Sequence, residues 1–148
     1  MKITNMNSIK PFLLALLTVT LLSNCADDPA EDFLWANWLA TSVVWHDCDI
    51  ITDNGPVNCG NNLTNCVSCL KLNLNFDGKY TLTNALNGTT VTETGTYKTK
   101  GRALELNPVL GDTYELPIDK SSPTILVIEF PGDDNCVATI TMEPTDCP

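Results

Sequence analysis

The sequence predicts an all-β fold, an up-and-down antiparallel barrel of about eight strands, with a β-sandwich as the alternative. Three observations lead there. The run LKLNLNF at residues 70–76 alternates strictly, with Leu70, Leu72, Leu74 and Phe76 on one face and Lys71, Asn73 and Asn75 on the other. That is the period-two pattern of a half-buried strand. Asp77-Gly78 follows and leads into KYTLT, where Tyr80 and Leu82 alternate again; Asp-Gly between two alternating runs is a strong hairpin signal. Downstream, alternating runs recur at even spacing, with turn residues between them and no long helical pattern.

In chain order, EDFLWANW at residues 31–38 is expected as a short helical turn opened by acids. WLATSVVWH at 38–46 is the first strand. After the 70–76 hairpin, strands are expected over 90–99, 102–107, 113–118, 124–130 and 136–143. Lys100-Gly101, Asn107-Pro108, residues 121–123 and PGDDN at 131–135 supply the turns. Closure of the sheet is preferred to a sandwich because it removes unpaired edges.

The N-terminal quarter reads differently. Lys2 and Lys10 precede PFLLALLTVTLLS, whose apolar core over 12–22 is shorter than the ~20 residues a membrane-spanning helix needs. Its length and flanks are those of a signal-peptide core. Leu22-Ser23-Asn24-Cys25 closes it and resembles the lipobox of bacterial lipoproteins, although Asn24 stands where Gly or Ala is usual. The resemblance implies cleavage before Cys25 and acylation, palmitate included, of that cysteine. Residues 1–24 are then a lipoprotein signal peptide, 25–32 an acidic tether with too little to bury, and 33–148 one barrel domain. By the sorting rules of that class, Ala26 after the cysteine implies the outer membrane, and the acids that follow resemble those that in some phyla mark export to the cell surface. The expected partner of the N-terminus is thus the membrane, through a lipid anchor.

Net charge is −10 over the whole chain, and the part after Cys25 carries six Lys and Arg against 18 Asp and Glu. Such a body repels nucleic acid and, within the screening length, anionic lipid headgroups.

NFDGKYTL, ETGTYKTKGRALEL, TILVIEF and CVATITMEP in succession resemble the small lipocalin-like lipoproteins of bacteria. The family's run is a tryptophan in the first strand, a D-G-x-Y hairpin, then G-x-Y/W and L-x-L. Ala36-Asn37-Trp38 stands where lipocalins carry G-x-W, and the last strand has no basic residue. The resemblance implies a barrel that binds a small apolar ligand or an envelope component.

There are seven cysteines. With Cys25 acylated, Cys48, Cys59, Cys66, Cys69, Cys136 and Cys147 remain, an even set in an oxidising compartment, and they read as disulfides worth about 2–4 kcal/mol each. Four of them sit in a polar segment, 48–69, too long for an unfastened loop in a compact domain. A strand over 136–143 spans about 24 Å, and residues 144–147 retrace at most about 10 Å. Cys136 and Cys147 therefore cannot bond to each other. Barrel closure sets the last strand against the first, which favours Cys48 with Cys136. Cys147 falls at the opposite rim, where only a loop draped down the barrel reaches it. The rivals are a zinc site from Cys59, Cys66 and Cys69 with Cys48 or His46, and a redox Cys66-x-x-Cys69 pair. Zinc proteins of this type usually carry two such pairs, and no thioredoxin-like βαβ pattern surrounds this one.

Catalytic signals are sparse. His46 is the only histidine, and no nucleophile or second base is placed beside it by spacing, so it reads as a residue at the barrel rim. Asp47, Asp49 and Asp53, like Asp133, Asp134 and Asn135, miss the one-three-five spacing of a calcium loop. Trp35, Trp38 and Trp45 are expected together at one end of the first strand, packing the core. The expectation is a monomeric non-enzyme without metal or cofactor. It binds a small hydrophobic ligand or acts as a cavity-less interaction or inhibitor module through the 48–69 loop. An open barrel would favour the first and a filled one the second.

Overall fold

The computed structural model describes residues 34–62, 64–133 and 135–147; the leader, Cys25 and the tether lie outside the described residues. Nine strands follow one another: β1 (Asn37–His46), β2 (Gly55–Pro56), β3 (Leu70–Leu74), β4 (Lys79–Asn84), β5 (Val91–Thr99), β6 (Ala103–Pro108), β7 (Tyr114–Ser122), β8 (Ile125–Pro131) and β9 (Val137–Thr145). All but the two-residue β2 form a ring in chain order, and β9 pairs back along the whole of β1. Every neighbouring pair is antiparallel. The fold is a closed eight-stranded up-and-down barrel, as the alternation and turn spacing predict.

The ring has two ends. Leu34 and the short β3–β4, β5–β6 and β7–β8 turns lie at one, here the N-terminal end. His46, Pro108, Pro131 and the connections beside them lie at the other, the loop end. On the side of β1 facing β3, only Asn37 to Leu39 pair with that strand, while Val44 and Trp45 pair with β2. The segment after β1 therefore folds back to cover the upper part of that edge before the chain reaches β3.

A bulge between Ala40 and Ser42 resets the pleat of β1. Trp38 and Ala40 point inward before it and Val43 after it, each no more than 1% exposed. This is why WLATSVVWH alternates poorly although it lines the core: one extra residue moves the inward set by one position.

Several expectations need correction. Phe76 does not extend the inward row of Leu70, Leu72 and Leu74; it is 81% exposed. Gly78 N–H donates to the Asn75 carbonyl at 3.0 Å, and Asn75 N–H to Lys79 at 2.9 Å. The turn thus spans 75–78, and Gly78 takes the left-handed conformation (φ +77°) that closes it. Of the helical turn expected over 31–38, residues 31–33 lie outside the described residues, and 34–36 are non-helical backbone leading into β1. The three tryptophans do not gather at one end. Trp35 is at the N-terminal end, Trp38 is in the core with Nε1 donating to the Leu34 carbonyl at 2.9 Å, and Trp45 is near the loop end.

Candidate functional site

The middle of the barrel is filled. Trp38, Leu72, Tyr80, Leu106, Leu116 and Ile140, from six strands, are each at most 1% exposed. Side chains with so little accessible surface have no water-sized void beside them. An eight-stranded ring is just wide enough for its own side chains to occupy it.

Toward the loop end the interior becomes polar. The Glu93 carboxylate of β5 accepts hydrogen bonds from the Tyr80 hydroxyl at 2.5 Å and the Tyr114 hydroxyl at 2.6 Å. Burial first, and then the bond to Glu93, holds both phenols well above the ordinary tyrosine range. The folded state therefore keeps these protons more tightly than the unfolded chain does. The stability they supply is complete below the ordinary pKa of about 10 and is lost as pH rises toward the folded values. In an alkaline spectrophotometric titration, Tyr80 and Tyr114 should ionise only as the barrel unfolds. Free ionisation of both beneath a native far-UV spectrum would contradict the carboxylate–tyrosine cluster.

The six cysteines form three disulfides: Cys48–Cys136, Cys59–Cys69 and Cys66–Cys147. The first joins the start of the 48–69 loop to the β8–β9 connection, where His46 pairs with Val137. The third carries the loop down the outside of the barrel to the N-terminal end. Cys147 and the outward-facing Leu39 share a cleft of about 180 Å³ there. Cys66 and Cys69 bond to different partners, so neither the redox pair nor the zinc set exists in this state. Among the described residues, no three His, Cys, Asp or Glu side chains converge as metal ligands.

Where the braced loop leaves the barrel it presents apolar residues to solvent. Ile50 is 54% and Ile51 82% exposed, at a single 3₁₀ turn over Ile51–Asp53. The turn is held on both sides. Cys48 N–H donates to Asn54 Oδ1 at 3.1 Å, and Asn135 Nδ2 donates to Asp49 Oδ2 at 2.9 Å. A fastened loop with outward isoleucines has the character of a contact surface. Its exposed pair was not legible beforehand, because IIT within a polar segment is compatible with either a buried or an exposed turn.

His46 stands in an unanticipated row. Its Nδ1 lies 2.7 Å from Asp47 Oδ2, and its Nε2 lies 2.9 Å from the Thr139 hydroxyl. Thr139 comes from β9, 93 residues away, and only ring closure brings it there. The order carboxylate, imidazole, hydroxyl is that of a hydrolytic triad. The carboxylate, however, is 79% exposed, so water and salt screen its support for an imidazolium. Thr139 is a β-branched secondary alcohol within a paired strand. The row fastens the ends of β1 and β9.

These features define a closed eight-stranded up-and-down β-barrel with a filled interior and a disulfide-braced loop. No family model and no curated protein matches the chain. Among solved structures it is similar to a lipocalin-like protein from Bacteroides uniformis, at 13% identity over 75% of this chain and 98% of that one, with a TM-score of 0.49.

Proposed function

We propose that the protein is a monomeric cell-envelope lipoprotein, anchored by acylated Cys25 in the outer membrane, whose barrel is a rigid scaffold presenting the 48–69 loop to a partner protein. The observation that carries this reading is the filled interior. A small apolar ligand would have to displace packed side chains, whereas Ile50 and Ile51 already stand in solvent. The leader and the Leu22–Cys25 tetrapeptide support the anchor, and the oxidised cysteines suit an exported protein. Among the described residues, ring closure leaves no long free edge for a second copy to extend. The exposed carboxylate of the His46 row and the secondary alcohol of Thr139 support a non-enzyme.

A photo-crosslinker placed at Ile51 in the native host should capture one discrete partner. The same group at Thr92, on the outer face of β5, should capture none. The purified protein should leave a fluorescent fatty acid in water, and Cys25→Ala should move the protein out of the membrane fraction. Equal crosslinking at both positions would overturn the scaffold reading, and stoichiometric fatty-acid binding would replace it with a ligand carrier. Membrane retention of Cys25→Ala would remove the anchor alone.

A further inference from the structure

The geometry points to the N-terminal end of the barrel as a membrane-docking face, with Trp35 and Phe76 seated in the lipid interface; this orientation rests on the lipid-anchor reading above. Three independent features converge there.

The first is exposure. Trp35 is 49% and Phe76 81% exposed, and both line a cleft of about 170 Å³ with Gly78, Tyr97 and Lys98. Phe76 is lifted out of the alternating row by the 75–78 turn, so a large ring is spent on solvent where a polar turn residue would serve. Aromatic rings are favoured at the depth of the headgroups, where an apolar body and a wet edge are both accommodated.

The second is the path of the chain. The described residues begin at Leu34, at this same end, one residue before Trp35. From Cys25 to Leu34 an extended chain reaches at most about 30 Å. An anchor at Cys25 therefore keeps this end within about 30 Å of the headgroups, and Trp35 is among the described side chains nearest the anchor along the chain.

The third is charge. All six Lys and Arg of the described residues lie in the half of the barrel nearer Leu34. Lys79 pairs with Asp77 and Lys98 with Glu105, each at 2.8 Å, which offsets the acids of that half. At the loop end Asp47, Asp49, Asp53, Asp112 and Asp133 have no Lys or Arg near them in the ring order. Among the described residues, the acids without a neighbouring Lys or Arg thus gather at the loop end, while the four acids of the tether, Asp27, Asp28, Glu31 and Asp32, precede Leu34. Strands of nine or ten residues place the ends more than two Debye lengths apart, at about 8 Å each in physiological salt. With the N-terminal end down, the acidic end is screened from an anionic surface; inverted, it is pressed against one. The exposed Ile50 and Ile51 then point away from the membrane, toward a partner.

The test uses the full chain on vesicles of phosphatidylcholine and phosphatidylglycerol. All three tryptophans lie after residue 33, so their emission reports on the barrel alone. Trp45→Phe leaves Trp35 as the accessible reporter, and Trp35→Phe leaves Trp45 at the far end; Trp38 is buried in both. Lipids carrying a shallow spin-label quencher should reduce emission several-fold more in the Trp35 reporter than in the Trp45 reporter. Phe76→Ser in the Trp35 reporter should weaken that quenching. Because Phe76 is exposed, this change leaves the fold intact and keeps the test independent of stability. Protein that floats with the vesicles while both reporters are quenched equally, or neither is, overturns the docking face and leaves the anchor standing. Failure to float overturns the anchor, and the orientation with it.

Discussion

Gly95→Val should yield no folded barrel. Gly95 lies on β5 opposite Tyr80 on one side and Pro108 on the other. A Cβ at this position would stand 2.2 Å from the Asn107 carbonyl oxygen, 2.8 Å from Pro108 Cα and 2.8 Å from Tyr80 Cε1. Two of those atoms are backbone and cannot swing aside. Relief requires moving β6 away from β5 or expelling the Tyr80 ring from the core. The first opens the ring; the second leaves a void and removes one donor from Glu93. Overpacking alone costs about 1–3 kcal/mol, and loss of a large buried aromatic about 3–5 kcal/mol. Together these approach the whole stability of a domain this size. Gly95→Ala should be milder yet clearly destabilising. A cooperative, near-native thermal transition for Gly95→Val would show that β5 and β6 are not packed this closely. A neighbouring control is Thr94→Val, on the outer face, which should change little.

The second large effect is the loss of the long-range disulfides. Cys48–Cys136 and Cys66–Cys147 close 88 and 81 residues, against 10 for Cys59–Cys69. In the chain-entropy account, longer loops constrain the unfolded state more, and each bridge contributes about 2–4 kcal/mol. Cys66→Ala/Cys147→Ala should lower the melting temperature more than Cys59→Ala/Cys69→Ala does. It should also free the draped segment, seen as faster amide exchange over 60–68 with the strands unchanged. Full reduction should unfold most of the population at physiological temperature, and chelators should have no effect. A larger loss from the Cys59–Cys69 pair, or sensitivity to chelators, would contradict this distribution of constraint.

How much of this was legible in advance depends on how local the cause is. LKLNLNF and KYTLT could be placed because alternation and an Asp-Gly turn act between neighbours. Alternation alone misplaces Phe76 within the same run, because whether a turn takes two residues or four depends on where Gly78 finds its left-handed conformation. The juxtaposition of Cys48 and Cys136 could be inferred, since closure of an antiparallel ring leaves few choices for its first and last strands. The Cys66–Cys147 bridge could be posed only as a requirement that a loop drape down the barrel.

The site was less visible than the frame. Nothing in the spacing joins Glu93 to Tyr80 and Tyr114, or His46 to Thr139, because each contact crosses strands whose relative stagger is a property of the whole ring. A bulge of one residue in β1 is enough to exchange inward and outward side chains beyond it.

By itself, the sequence determined an all-β chain with strands of near-even spacing, an even set of cysteines once Cys25 is set aside, and a strongly acidic body; each follows from composition or from contacts a few residues apart. Only the tertiary structure decided that the barrel is filled, that Ile50, Ile51, Trp35 and Phe76 face solvent, and that the Lys and Arg of the described residues gather in the half nearer Leu34. Those outcomes depend on ring size, strand stagger and the direction of each side chain after closure, and no short window of residues contains that information.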